Sequence, residues 1–136
     1  MGLAERRAVK EFQDNHLPAL VAAIHEHAGF AVPVEVNWDQ LAKPEQSHLY
    51  IDGFRRVYFE PVANALKDVG RDALGKDALK AGLKKIVFAN SADTYSAESA
   101  VSFVDGTLTI DHDPCTNVDY VDDRAAAAIK ALEKGL

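Results

Sequence analysis

The segment Val101-Ser102-Phe103-Val104-Asp105-Gly106-Thr107-Leu108-Thr109-Ile110 limits the fold of this chain more than any other stretch. An Asp-Gly pair between alternating flanks favours the positive φ angles of a two-residue hairpin turn. With Asp105 and Gly106 as the turn, Phe103 faces Leu108 and Val101 faces Ile110. Those four apolar side chains share one face, and Ser102 and Thr109 share the other. A hairpin with one apolar face must be covered, and the rest of the sequence supplies mainly helices to cover it.

Helical periodicity appears first at Val9, Phe12, Leu17, Leu20, Val21, Ile24 and Ala28, with Gly29 as a stop. Pro18 lacks an amide and crowds the carbonyl four residues back, so a helix over about 3–28 should kink or restart near Asn15. Val34, Val36 and Trp38 alternate with Glu35, Asn37 and Asp39, which predicts a strand over 33–39 with one wet face. A second long helix is expected over 47–69 through Ile51, Phe54, Tyr58, Val62, Leu66 and Val69. Ser47 is its expected cap, and Pro61 should bend it by freeing the Val57 carbonyl. After Gly75 a shorter helix carries Leu79 and Leu83, then 84–89 reads as a strand and 90–99 as a polar loop. The last helix is expected over 119–135, with Val121, Ala125, Ala128, Ile129 and Leu132 on its packing stripe.

The resulting order, α-β-α-α-β-β-β-α, groups helices before and after adjacent strands. It predicts the α+β class: an antiparallel sheet of about four strands with a C-terminal β-hairpin, covered mainly on one face by three to four helices. No linker, repeat or low-complexity tract divides the chain, so one domain over 1–136 is expected. A chain of 136 residues buries roughly two thirds of its unfolded surface and needs neither disulfide nor metal to hold a core. No cofactor is expected.

Charge narrows the partners. Twenty-one Asp and Glu against 15 Lys and Arg give a net charge of −6, which repels phosphate backbones and anionic lipid, so neither nucleic acid nor membrane is expected as a partner. Arg55-Arg56 and Lys84-Lys85 are the only tight basic pairs and read as solvated flanks. A lone Cys115 points to a reducing compartment, and neither a signal-peptide pattern nor a lipidation motif is visible, so a cytoplasmic location is expected.

The densest polar run follows the hairpin: Asp111-His112-Asp113-Pro114-Cys115-Thr116-Asn117-Val118-Asp119-Tyr120-Val121-Asp122-Asp123. Counted from Asp111, oxygen-bearing side chains fall at several positions of a calcium loop, which makes Asp111, Asp113 and Asp119 the candidate metal ligands. The pattern breaks where Cys115 and Thr116 replace an oxygen ligand and the essential glycine. Helix capping by Asp119, Asp122 or Asp123, and an Asx turn around Pro114, explain the same residues. His25 and His27 diverge by roughly 200° on a helix and do not form a zinc pair. Cys115, with His112 three residues away, is a candidate thiolate whose alternative is a small buried hydrophobe.

No G-x-S-x-G elbow, Walker loop or dinucleotide fingerprint is present, so the residues point to binding rather than catalysis. The expectation is a small acidic module of the adaptor or inhibitor type that acts by protein contact, with self-association as one form of it. Its candidate binding residues are Glu35, Trp38, Asp39, Phe54, Tyr58 and Phe59. Adjacent Tyr58 and Phe59 cannot both face one way on a regular helix, which suggests that one of them serves an interface. The alternatives are a small-molecule carrier with an aromatic pocket around Trp38, Tyr50, Phe54, Tyr58 and Phe59, and a divalent-metal-dependent enzyme using Asp111-His112-Asp113.

Overall fold

The computed structural model describes residues 1–136. The chain is α+β, with a four-stranded sheet in the order β1-β2-β4-β3, where β1 is Val34–Val36, β2 Lys85–Ala89, β3 Val101–Val104 and β4 Thr107–Asp111. The hairpin forms in the expected register, Val101 opposite Ile110 and Phe103 opposite Leu108. Its turn takes φ 52° at Asp105 and 81° at Gly106, the left-handed pair that a two-residue loop demands.

The sheet is mixed rather than antiparallel. β1 runs parallel to β2, and β2 parallel to β4; only the hairpin pair is antiparallel. The correction has a topological cause. Residues 37–84, mostly helical, carry the chain from the end of β1 back to the start of β2, the long crossover that parallel pairing needs. Alternation within a strand reports its faces and says nothing of its neighbour's direction.

Register builds two inner rows, Val34–Ile86–Leu108–Phe103 and Val36–Phe88–Ile110–Val101. Ile86, Phe88, Leu108 and Ile110 in the two central strands are fully buried. The outer rows are Glu35–Val87–Thr109–Ser102 and Lys85–Thr107–Val104, and none of these residues is buried. Helices thus cover one face of the sheet and leave the other bare.

The first helix breaks as Pro18 requires, into α1 (Leu3–Asn15) and α2 (Leu17–Ala28), with His16 between them and Gly29 in the left-handed region at the end. The expected strand 33–39 is shorter than alternation suggested. The Asn37 side chain accepts the Gln40 amide, so Trp38 and Asp39 open a short helix α3, Trp38–Leu41. The long central helix is continuous but irregular: a 3₁₀ turn at Ser47–Leu49, α4 at Tyr50–Phe54, a π turn at Arg55–Phe59 and α5 at Glu60–Val69. Pro61 offers no amide to the Val57 carbonyl, and the ladder widens just before it, as a π turn does. Ser47 lies within the 3₁₀ turn and does not cap by its side chain.

The π turn also answers the Tyr58 and Phe59 problem. Both are fully buried, and both pack on Phe88, with ring centroids 5.4 and 4.8 Å away. Phe59 also reaches Phe12 on α1 at 5.9 Å. The central helix is enclosed between sheet and N-terminal helices, so neither ring serves an interface.

Helix α6 (Ala73–Gly82) starts before Gly75, capped by Asp72, whose side chain accepts the Gly75 amide at 2.8 Å. The expected loop 90–99 runs into a short helix α7, Ala97–Ala100. Helix α8, Val121–Gly135, begins after Tyr120 with no side-chain cap, so the aspartates before it do not cap. Asp122 and Asp123 instead sit in its first turn, where the helix dipole favours negative charge. No helix is long and apolar enough to cross a membrane.

Candidate functional site

The sequence-derived binding residues divide into two groups. Phe54, Tyr58 and Phe59 are buried at 0–1% exposure, Phe54 stacking on Tyr50 at 4.8 Å and meeting Phe12 edge-on at 5.2 Å. They belong to the core, and the aromatic pocket proposed around them is filled by their own packing. Tyr58 donates to the His112 carbonyl at 2.5 Å, and burial pushes its hydroxyl well above the usual range. Tyr50, donating to the Lys43 carbonyl at 2.7 Å, is pushed up to about 12, chiefly by burial.

Glu35, Trp38 and Asp39 come together. With Val36, Asn37, Gln40, Val87, Ala89 and Ser91 they line an open hollow of about 700 Å³. It lies at the carboxyl ends of the parallel strands β1 and β2 and is continuous with the bare outer face through Glu35 and Val87. Glu35 and Asp39 are exposed and Trp38 is half-buried. Lys85 pairs with Glu35 at 3.4 Å. The Gln40 side chain accepts the Asn90 amide at 3.1 Å, and Asp111 accepts both the amide and the hydroxyl of Ser91, so the walls of the hollow are tied together.

The three candidate metal ligands disperse. Asp111 holds Ser91. Asp113, nearly buried, accepts Lys43 Nζ and the Cys115 amide, at 2.8 and 2.7 Å. Asp119 takes Arg56 at 2.6 Å. No group of three or more His, Cys, Asp or Glu side chains is placed to share an ion. The Asx turn expected at Pro114 is present in the Asp113–Cys115 bond, with Asp111 engaged elsewhere. Asp113 raises the Lys43 ammonium above its ordinary range, mainly through that hydrogen bond.

His112 is fully buried. Its Nδ1 lies 2.6 Å from the Asp113 carbonyl, and because a carbonyl only accepts, that nitrogen carries the proton. Burial holds the ring neutral, below the usual histidine range. Nε2 is left buried without a partner. Burial also raises the Cys115 thiol, which is the opposite of what a thiolate nucleophile needs. Nothing here assembles a base beside an activated nucleophile.

Arg124, which no sequence motif marks, is 1% exposed. Its guanidinium donates to three carbonyls: Asn117 at 2.8 Å, Val118 at 2.8 Å and Arg56 at 3.2 Å. No carboxylate pairs with it, and its Nε has no partner. Spacing had carried a signal: Arg124 lies between Val121 and Ala128 on the packing stripe of α8, where a charge has no reason to be unless it holds something.

Arg124 also borders a larger groove of about 840 Å³ between α8 and the segment Tyr95–Val101. Comparison with family models, with curated proteins and with solved structures finds no match to this chain.

Proposed function

We propose that this chain is an acidic protein-contact module whose working surface is the bare outer face of the sheet together with the hollow holding Glu35, Trp38 and Asp39. The single observation behind the reading is the one-sidedness of a sheet in which three of four strands are mutually parallel. Parallel strands are ordinarily covered on both faces. Here the outer rows hold Val87, Thr107 and Thr109 half-buried, with Ala89 at the strand end beside them. They form a surface of small and β-branched side chains on which Lys85 pairs with Glu35 and Asp39 and Asp111 stand at the strand ends.

The occupant is a basic polypeptide segment. A chain of net charge −6 attracts a cationic partner and steers it by long-range field, and a second copy presenting the same acidic hollow would be repelled. Trp38, the only tryptophan, lines the hollow and reports its occupancy directly.

The test uses a ten-residue Lys- and Arg-rich peptide titrated into the protein while Trp38 emission is followed. The reading requires a saturable change that weakens as salt rises and is lost in Glu35→Lys/Asp39→Lys. The control Glu26→Lys/Asp77→Lys makes the same charge change on exposed helix positions and should bind like the parent. Equal weakening in both pairs would reduce the effect to net charge and defeat the proposal. Self-association seen by light scattering, abolished by Thr109→Arg, would replace the basic partner with a second copy.

A further inference from the structure

We propose that the groove between α8 and residues 95–101 binds a small amphipathic anion: a carboxylate or sulfonate on an aromatic or alkyl frame. The proposal is independent of the sheet face, which lies on other residues. One wall is the flank of α8 carrying Ala126, Ala127 and Ala131, and the other is Ala97 and Val101. Their short side chains leave a trough of about 840 Å³, within the range of small-ligand pockets. Two tyrosines border it, Tyr95 at 66% and Tyr120 at 56% exposure. Exposed rings beside an apolar trough offer stacking surface to a flat or aliphatic ligand.

Charge selects the sign. Lys130 and Lys134 line the groove one helical turn apart, both exposed and neither held in an ion pair. At the other end lies Arg124, buried and paired only with carbonyls, its Nε unsatisfied. Glu98 and Asp123 also line the groove, so three cations face two carboxylates and a singly charged anion balances the set. In a chain with an excess of acids, two free ammonium groups and the orphaned Nε of a buried guanidinium are gathered around one apolar trough.

The probe is 8-anilinonaphthalene-1-sulfonate, whose emission rises in an apolar site, titrated into the folded protein with decanoate as competitor. One saturable site displaced by decanoate is expected. Lys130→Glu/Lys134→Glu, which reverses two exposed charges at the groove, should weaken binding about tenfold, a loss of about 1.4 kcal/mol. Ala126→Trp, at an exposed helix position, should block the trough without disturbing the core, as circular dichroism will show. A naphthyl ammonium ion of the same size should bind at least tenfold more weakly. Unchanged affinity in both variants, or a cation that binds as well as the anion, overturns the proposal. Amide NMR shifts on decanoate binding that fall on residues 35–40 instead of 95–101 and 126–134 would place the ligand in the other hollow and overturn it as well.

Discussion

Replacing Arg124 with alanine removes a buried charge, and the structure nevertheless predicts a large loss of stability. The guanidinium holds the carbonyls of Asn117, Val118 and Arg56, and so fastens the loop before α8 and the π turn to one helix. Charge-assisted hydrogen bonds contribute about 1.5 kcal/mol each at the low end, so three give about 4 to 5 kcal/mol. Packing of the aliphatic stem adds about 1 kcal/mol. Against this stands the desolvation of an unpaired guanidinium with an orphaned Nε, which offsets about 2 kcal/mol, and the net is about 3 kcal/mol. For a chain of this length that lowers the melting temperature by about 12 °C. Urea denaturation followed by Trp38 fluorescence, with thermal melts by circular dichroism, measures it. Arg124→Met keeps the stem, loses the hydrogen bonds and should fall between parent and alanine variant. A loss under about 1 kcal/mol for Arg124→Ala, or a methionine variant as stable as the parent, would refute the claim that this side chain fastens the loop.

Other consequences are as specific. Because burial lowers the folded-state pKa of His112, the unfolded chain takes up the proton first as pH falls. Its contribution is therefore complete above about pH 6.5 and declines below it, by at most about 1.4 kcal/mol per pH unit until the folded pKa is reached; the difference in urea-melt stability between parent and His112→Gln should show that slope. At Gly53 a Cβ would stand 2.4 Å from the Pro114 carbonyl oxygen, so Gly53→Ala should destabilise by about 1–3 kcal/mol in the same melts by pushing the loop off α4. Truncating Phe88, buried between Tyr58 and Phe59, should cost about 3–5 kcal/mol. Cys115, its thiol raised by burial, should react with maleimide more slowly than a free thiol at pH 7.5, and a rate equal to that of free cysteine would contradict the burial.

What could be read from the residues was what is decided locally. The Asp105-Gly106 turn, the inward pairs Val101–Ile110 and Phe103–Leu108, and the break before Pro18 depend on neighbours in sequence, and each is present. Strand direction was not legible, because β1 and β2 meet only after the helical crossover 37–84 closes. Trp38 was drawn into a strand by alternation that outlasts the strand itself, since Asn37 caps a helix without interrupting the apolar rhythm. The π turn at Arg55–Phe59 turned a conflict between Tyr58 and Phe59 into close packing. The aspartates after the hairpin looked like one constellation, but Lys43, Arg56 and Ser91 reach them from distant positions and divide them among separate structural tasks.

The same division governs the candidate sites. Glu35, Trp38 and Asp39 gather because they are contiguous at a strand end, so their hollow was half visible beforehand. The α8 groove was invisible, since residues 95–101 and 117–134 approach one another only in the folded chain. Arg124 was the one clue, a cation on an apolar stripe.

Amide-resolved NMR of the ¹⁵N-labelled protein with the basic peptide tests the central claim most directly. Shifts confined to residues 35–40, Val87, Thr109, Ser102 and the Trp38 indole, fading together as salt rises, are the predicted result. Shifts spread evenly over the acidic helices, with the outer strands silent, would contradict it.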